Sequence, residues 1–278
     1  TLFKNADSAM YQAKEQGKNT YYMHDPKMLS VAQRRFDFKY HLYKALEEDA
    51  FHLNYQPKVD PNTGVCQGLE ALLRWNHPQK GLILPAEFLP FAEENGLMVP
   101  IGEWVFENIH KQLLLWREEG MSPLPLAINV SESQLMSPKF SKDLEKFMGK
   151  SGLVPGFIEV EIPENILLKT TTEQRKSIME INEIGAKISL DNFGLGLSSL
   201  NNLASLPLNT LNIDPCLING LFTGAYESIA NTIITMGKSL NMKTVAKGVE
   251  TEKQKVFLGA HHCDAIQGHL VGSPCPPD

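Results

Sequence analysis

From Phe51 onward the chain alternates short apolar, strand-like runs with helical segments, and few folds accommodate that alternation. Strands are predicted at Leu53–Val59, Leu69–Trp75, Leu126–Val130, Ile158–Ile162, Lys187–Leu190, Thr210–Ile213, Thr244–Ala246 and Ala265–Gln267. Helices are predicted at Ala86–Asn95, Ile101–Glu119, Ser141–Ser151, Thr172–Ile184, Glu227–Leu240 and Glu252–Leu258. Strands separated by helices imply a parallel sheet. Eight strands in such a series favour an α/β barrel over an open sheet. No sequence repeat suggests a solenoid.

Composition narrows the function. Of 278 residues, 42% are hydrophobic and 21% charged, which supports a packed core and excludes disorder over most of the length. No apolar run approaches the ~20 residues needed to cross a bilayer. The net charge of −6 argues against a broad phosphate-binding surface, so no nucleic-acid polymer is expected as partner. Cys66, Cys216, Cys263 and Cys275 form no C-x-x-C pair and read as free thiols of a cytoplasmic protein. The chain begins without Met inside a helical pattern, ADSAMYQAKEQGKN, and reads as a fragment of a longer protein whose other parts would carry any membrane anchor. A polar, amphipathic stretch from Met28 to Glu48 has the character of a connecting helix, with Phe36, Tyr40 and Leu46 as its contacts.

In a barrel of this kind the functional site lies at the C-terminal ends of the strands. Reading those ends gives Glu70 and Arg74, Asn129, Glu161 with Glu164 three residues on, Asp191-Asn192, Asn212 and Asp214, Lys247 and Glu250, and Gln267. A carboxylate inside an apolar strand is costly unless it is paired or holds a cation. One such residue is usually a satisfied structural group. Glu, Asn, Glu and Asp converging from four strand ends suit a hard-oxygen cation or a phosphate ester.

The residues then carry a specific resemblance. Glu70-Ala71-Leu72, within GLEALLRWNHPQKGLILPAEFLPFAEENGL, resembles the signature of EAL domains, which hydrolyse cyclic di-GMP with two Mg²⁺ or Mn²⁺ ions. The likeness continues through YQP at Tyr55–Pro57, INVS at Ile128–Ser131, DNFGLGLSSL at Asp191–Leu200, KGVET at Lys247–Thr251 and Gln267-Gly268. The opening segment is similar to the last helix of a GGDEF domain. The resemblance implies a GGDEF remnant over residues 1–24, a linker helix over 25–50 and an EAL-type barrel over 51–278. It also implies the fold: a modified (β/α)8 TIM-type barrel with its first strand antiparallel.

Carried over position by position, the family's first-metal shell is Glu70, Asn129, Glu161 and Asp191. The ligand-binding set is Gln56, Leu72, Arg74, Lys247, Glu250 and Gln267, and Glu164 anchors the loop after Asp191. Pro163 stands where the family has Thr. Three central positions depart. Asn192 replaces the second Asp of an Asp-Asp pair, Asn212 replaces the Lys of K-I-D, and Lys247 replaces the Glu that opens E-G-V-E. An Asn brings no negative charge, and a protonated Lys coordinates no cation. The three changes together add two positive units, equal to one divalent ion.

The resemblance with its departures implies a cyclic di-GMP-binding sensor whose hydrolysis is lost or very weak. It would hold at most one Mg²⁺ or Mn²⁺, with none required for ligand binding and Lys247 occupying the second-metal region and contributing charge to a ligand phosphate. The alternatives are an active phosphodiesterase giving linear pGpG and a ligand-free protein-interaction scaffold. In the loop, Leu195 and Leu197 replace two hydroxyl-bearing residues. They point to a homodimer or protein partner meeting the Asp191–Leu200 segment, unless they pack internally.

Overall fold

In the computed structural model the described residues are 6, 10, 21, 38–48, 50–196 and 200–277, with the side chains of 167–169 and 200 not described. The GGDEF-like segment 1–24 lies outside them apart from three isolated positions, as do residues 25–37 and 49 of the expected 25–50 linker, Phe36 among them, and Leu197. Residues 38–47 form helix α1. Its buried stripe is Leu42 and Ala45, with Phe38 edge-on to Trp75 and Phe91. Leu46 packs on the core as expected, whereas Tyr40 is exposed. The helical period that sends 38, 42 and 45 inward turns 40 away.

Two strands open the barrel: β1 (Phe51–Val59) and β2 (Cys66–His77). A short β3 (Gly81–Ile83), α2 (Pro85–Glu94) and α3 (Met98–Glu118) follow. Next come β4 (Leu126–Asn129), α4 (Glu132–Leu135), α5 (Phe140–Ser151) and β5 (Ile158–Pro163). A 3₁₀ turn over Glu164–Lys169 leads to α6 (Thr172–Glu183) and β6 (Lys187–Phe193). The chain continues with α7 (Leu200–Ser205), β7 (Thr210–Ile213), α8 (Pro215–Asn219) and α9 (Tyr226–Ser239). It ends with β8 (Lys243–Lys247), α10 (Glu252–Ala260) and β9 (Ala265–Gln267).

The strand order is β1-β9-β8-β7-β6-β5-β4-β2-β3, and a β1–β2 pairing closes the ring. The barrel is therefore eight strands, with β3 appended to β2 as an antiparallel hairpin. β1 runs antiparallel to both neighbours, and the remaining ring pairs are parallel. The expected fold is thus the observed one. The unpredicted β3 and the short α4, α7 and α8 are pieces of three to six residues, too short for periodicity to register.

Side-chain alternation divides the strands. Phe51, Leu53, Tyr55, Ala71, Leu73 and Trp75 are buried on the outward faces of β1 and β2, against the helices. Asn54, Gln56 and Lys58, with Glu70, Leu72 and Arg74, take the opposite face. The parallel register carries that inner parity around the ring through Ala127 and Asn129, Glu159 and Glu161, and Ser189 to Asp191. The interior of this barrel is therefore polar. Among the described residues, no helix is long and apolar enough to cross a membrane.

Candidate functional site

Glu70 sits mid-strand on β2, opposite Gln56 of β1 in the antiparallel register. Gln267, at the end of β9, bridges the two: its Nε2 donates to Glu70 Oε2 at 2.7 Å and to Gln56 Oε1 at 3.0 Å. Asn129, ending β4, donates Nδ2 to Glu70 Oε1 at 2.7 Å. Glu161 lies beside Asn129 on β5, and Asp191 beside Pro163 on β6. The register thus brings the four expected metal-shell residues to one end of the barrel.

They converge on an ammonium. Lys247 Nζ, from the end of β8, lies 2.6 Å from Asp191 Oδ1, 2.7 Å from Glu161 Oε2 and 3.2 Å from Glu70 Oε2. Its contacts are carboxylates of the shell itself, although the sequence reading assigns it to a ligand phosphate. Three anions around a side chain only 11% exposed outweigh any solvent-facing placement. Burial alone would lower the Lys247 pKa, but Glu161, Glu70 and Asp191 overcome it and hold the pKa well above the ordinary 10.5.

A second lysine completes the network. Lys58 on β1 reaches Glu161 Oε1 at 2.7 Å and Glu159 Oε1 at 3.0 Å. Thr210 Oγ1 donates to the other Glu159 oxygen at 3.0 Å. Burial opposes ionisation of Glu161, yet Lys247 and Lys58 hold its carboxyl down to about 2. Glu70 is shifted the other way, raised by burial and then by the neighbouring Glu161 charge. For Lys58, burial lowers the pKa and Glu161 with Glu159 more than reverse it, leaving it raised.

The two other departures both bear on Asp191. Asn192 Nδ2 donates to Asp191 Oδ2 at 3.0 Å, and Asn212 Nδ2 reaches Asp191 Oδ1 at 3.4 Å. Asn192 has φ 55° within an irregularity of the β6–β7 pairing, a backbone state that Asn and Asp adopt more readily than most residues. Among the described residues, the Asn212 Oδ1 and Gln267 Oε1 atoms are buried acceptors without a partner.

The donor set in this arrangement does not fit a resident divalent ion. The point where its carboxylates meet is held by an ammonium, both Glu161 oxygens are ion-paired, and Asn129 presents its NH₂ to Glu70. Among the described residues, no group of three or more His, Cys, Asp or Glu stands in a metal-holding arrangement.

Arg74 lies four residues beyond Glu70 on the same face of β2 and donates Nη1 to Leu73 O at 2.8 Å. Burial lowers its pKa, with Glu70 opposing. Leu72 is half-buried on that face, and Glu250 is exposed in the loop after β8. Glu164 accepts from Gly194 N at 3.1 Å and Gly196 N at 3.2 Å through Oε2, which ties it to the loop after Asp191. Leu195 in that loop is 57% exposed.

Lys58 and Glu159 are not singled out by the sequence reading. The available signal is parity: Asn54, Gln56 and Lys58 alternate on the face of β1 that meets Glu70.

Comparison with known proteins follows the same lines. The EAL domain pattern matches residues 40–274. The chain is 39% identical over its full length to the bifunctional diguanylate cyclase/cyclic di-GMP phosphodiesterase MucR of Pseudomonas aeruginosa, of which it covers 41%. It is 34% identical over 99% of its length to the cyclic di-GMP phosphodiesterase PdeR of Escherichia coli, covering 42% of that protein. It therefore spans about two-fifths of these relatives. Among solved structures, the PaMucR phosphodiesterase in complex with c-di-GMP superposes with a TM-score of 0.82 at 39% identity, over 86% of this chain and 98% of that one. The EAL enzyme Bd1971, bound to cAMP and cyclic di-GMP, gives 0.79 at 27% identity over 89% of this chain and 68% of that one. With the motifs, the barrel and these matches in agreement, the chain belongs to the EAL domain family.

Proposed function

We propose that this chain is a cyclic di-GMP-binding sensor module of bacterial second-messenger signalling, with hydrolysis lost or very weak. The observation that carries the reading is the Lys247 ammonium among Glu70, Glu161 and Asp191. Phosphodiester hydrolysis of this type needs a metal-activated water. A tethered ammonium supplies positive charge but no such water. Binding groups persist where the metal chemistry does not: Gln56, Leu72, Arg74, Glu250 and Gln267 are retained, and Arg74 pairs with no carboxylate among the described residues. The relatives named above bind or hydrolyse this dinucleotide, which supports it as the ligand.

The test is calorimetric titration with cyclic di-GMP, with and without EDTA, followed by chromatography of the product. Saturable binding with intact ligand is expected. An active phosphodiesterase is the second reading, favoured by the 39% identity to MucR, and robust pGpG formation with Mn²⁺ would establish it. A scaffold without ligand would show neither heat nor product. In the sensor reading the module works in the cytoplasm, with a GGDEF domain upstream. Leu195 would then be where the loop meets a second chain, and Leu195→Ser should weaken association in sedimentation while leaving ligand affinity nearly intact.

A further inference from the structure

Glu161 offers one carboxylate oxygen to Lys247 and the other to Lys58, both at 2.7 Å. Asp191 Oδ1 lies closer still to Lys247, at 2.6 Å, while its Oδ2 accepts from Asn192. Glu70 Oε2 is shared between Lys247 and Gln267. Lys247 itself is pinned at the end of β8, paired in register with Gln267 of β9. We propose that the Lys247 ammonium is a tethered counterion that takes the place of a divalent ion at Glu70, Asn129, Glu161 and Asp191, so that the chain excludes Mg²⁺ and Mn²⁺ and keeps these carboxylates assembled without them. The inference rests on reading these four residues as the EAL metal shell, not on the identity of the ligand.

The physical argument is competition for one position. A divalent ion entering the shell must break three buried ion pairs and then remain beside a displaced ammonium. Like charges a few ångströms apart in a partly desolvated pocket repel by several times thermal energy. Asn129 must also rotate its amide to present oxygen, giving up its bond to Glu70. Removing the ammonium removes the ion pairs to be broken and the like-charge repulsion. The shell left behind is rich in carboxylates, and hard divalent ions favour such oxygen sites.

The experiment is a Mn²⁺ titration of the 278-residue chain without nucleotide, read by electron paramagnetic resonance of free Mn²⁺ and by melting temperature. Lys247→Gln and Lys247→Glu are the variants. The wild type should leave the Mn²⁺ signal unchanged. Each variant should take up one equivalent at least ~100-fold more tightly than the wild type and melt higher with the metal. Adding Asp191→Asn to Lys247→Gln should abolish uptake. A variant that folds only with Mn²⁺ also supports the proposal. Stoichiometric uptake by the wild type overturns it. So do folded variants that gain no uptake, and variants that neither fold nor recover with Mn²⁺. Absence of cyclic di-GMP binding in calorimetry would refute the proposed function and leave this result standing.

Discussion

Glu161 carries an ammonium on each oxygen, and the energetics of the barrel interior turn on it. Breaking a buried ion pair from one side leaves an uncompensated charge, which typically costs about 3–5 kcal/mol. Lys58→Met should therefore destabilise the protein by about that amount in urea unfolding; a loss under about 1 kcal/mol would show that the network is slack. The pH dependence has three limbs. The Glu161 carboxyl is held down to about 2 from its ordinary 4.5, so its contribution is complete above 4.5 and is lost as pH falls through 2. Lys247 is held above 10.5, so its contribution is complete below 10.5 and is lost as pH rises through the higher folded value. Glu70, raised by burial and by Glu161, adds a contribution that is complete below 4.5 and is lost as pH rises through its higher folded value, and Lys58→Met should move the acid limb to higher pH. Arg74→Ala should weaken cyclic di-GMP binding by ~10–100-fold, with Arg74→Lys recovering only part, because a lysine cannot reproduce the bidentate fork. Glu70, Glu161 and Asp191 are legible in the sequence as carboxylates in apolar strands. Lys58 is harder to read, because a lysine near a strand end usually snorkels to solvent.

At the level of elements, the loop after β6 hangs from Glu164, whose Oε2 accepts both Gly194 N and Gly196 N. A Cβ on Gly196 would stand 2.9 Å from that carboxylate, so a larger residue there would have to push the Glu164 carboxylate aside. Glu164→Ala should leave both amides without this acceptor, costing about 1–3 kcal/mol and accelerating their hydrogen exchange. Unchanged exchange would mean the loop is held elsewhere. The long amphipathic helices and most parallel strands are legible because their periodicity spans several turns or pleats, and α3 starts earlier than predicted because Pro100 fits a helix's first turn. The antiparallel sense of β1 is not legible in any pattern of this chain. It came through the family resemblance, and its register with β2 sets Gln56 opposite Glu70.

At the scale of the whole molecule, the barrel closes a ring of strands around its own cations. That closure makes the three departures from the family one unit. Asn192→Asp, Asn212→Lys and Lys247→Glu together should restore measurable pGpG formation with Mn²⁺, while any one alone should do little. Near-full activity from a single change would show that the roles are misassigned. The location of the site was legible in the sequence because barrel chemistry collects at strand ends. The occupant of its centre was not, because a side chain's reach across the barrel depends on the closed register. In the proposed function the chain supplies its own cation and so binds without turning over. Calorimetric titration with cyclic di-GMP in excess EDTA, with the cell contents then chromatographed, tests it most directly. Saturable binding that the chelator leaves unchanged is expected, with the dinucleotide recovered intact. Binding that appears only when Mn²⁺ replaces EDTA, with recovery of linear pGpG, would contradict it.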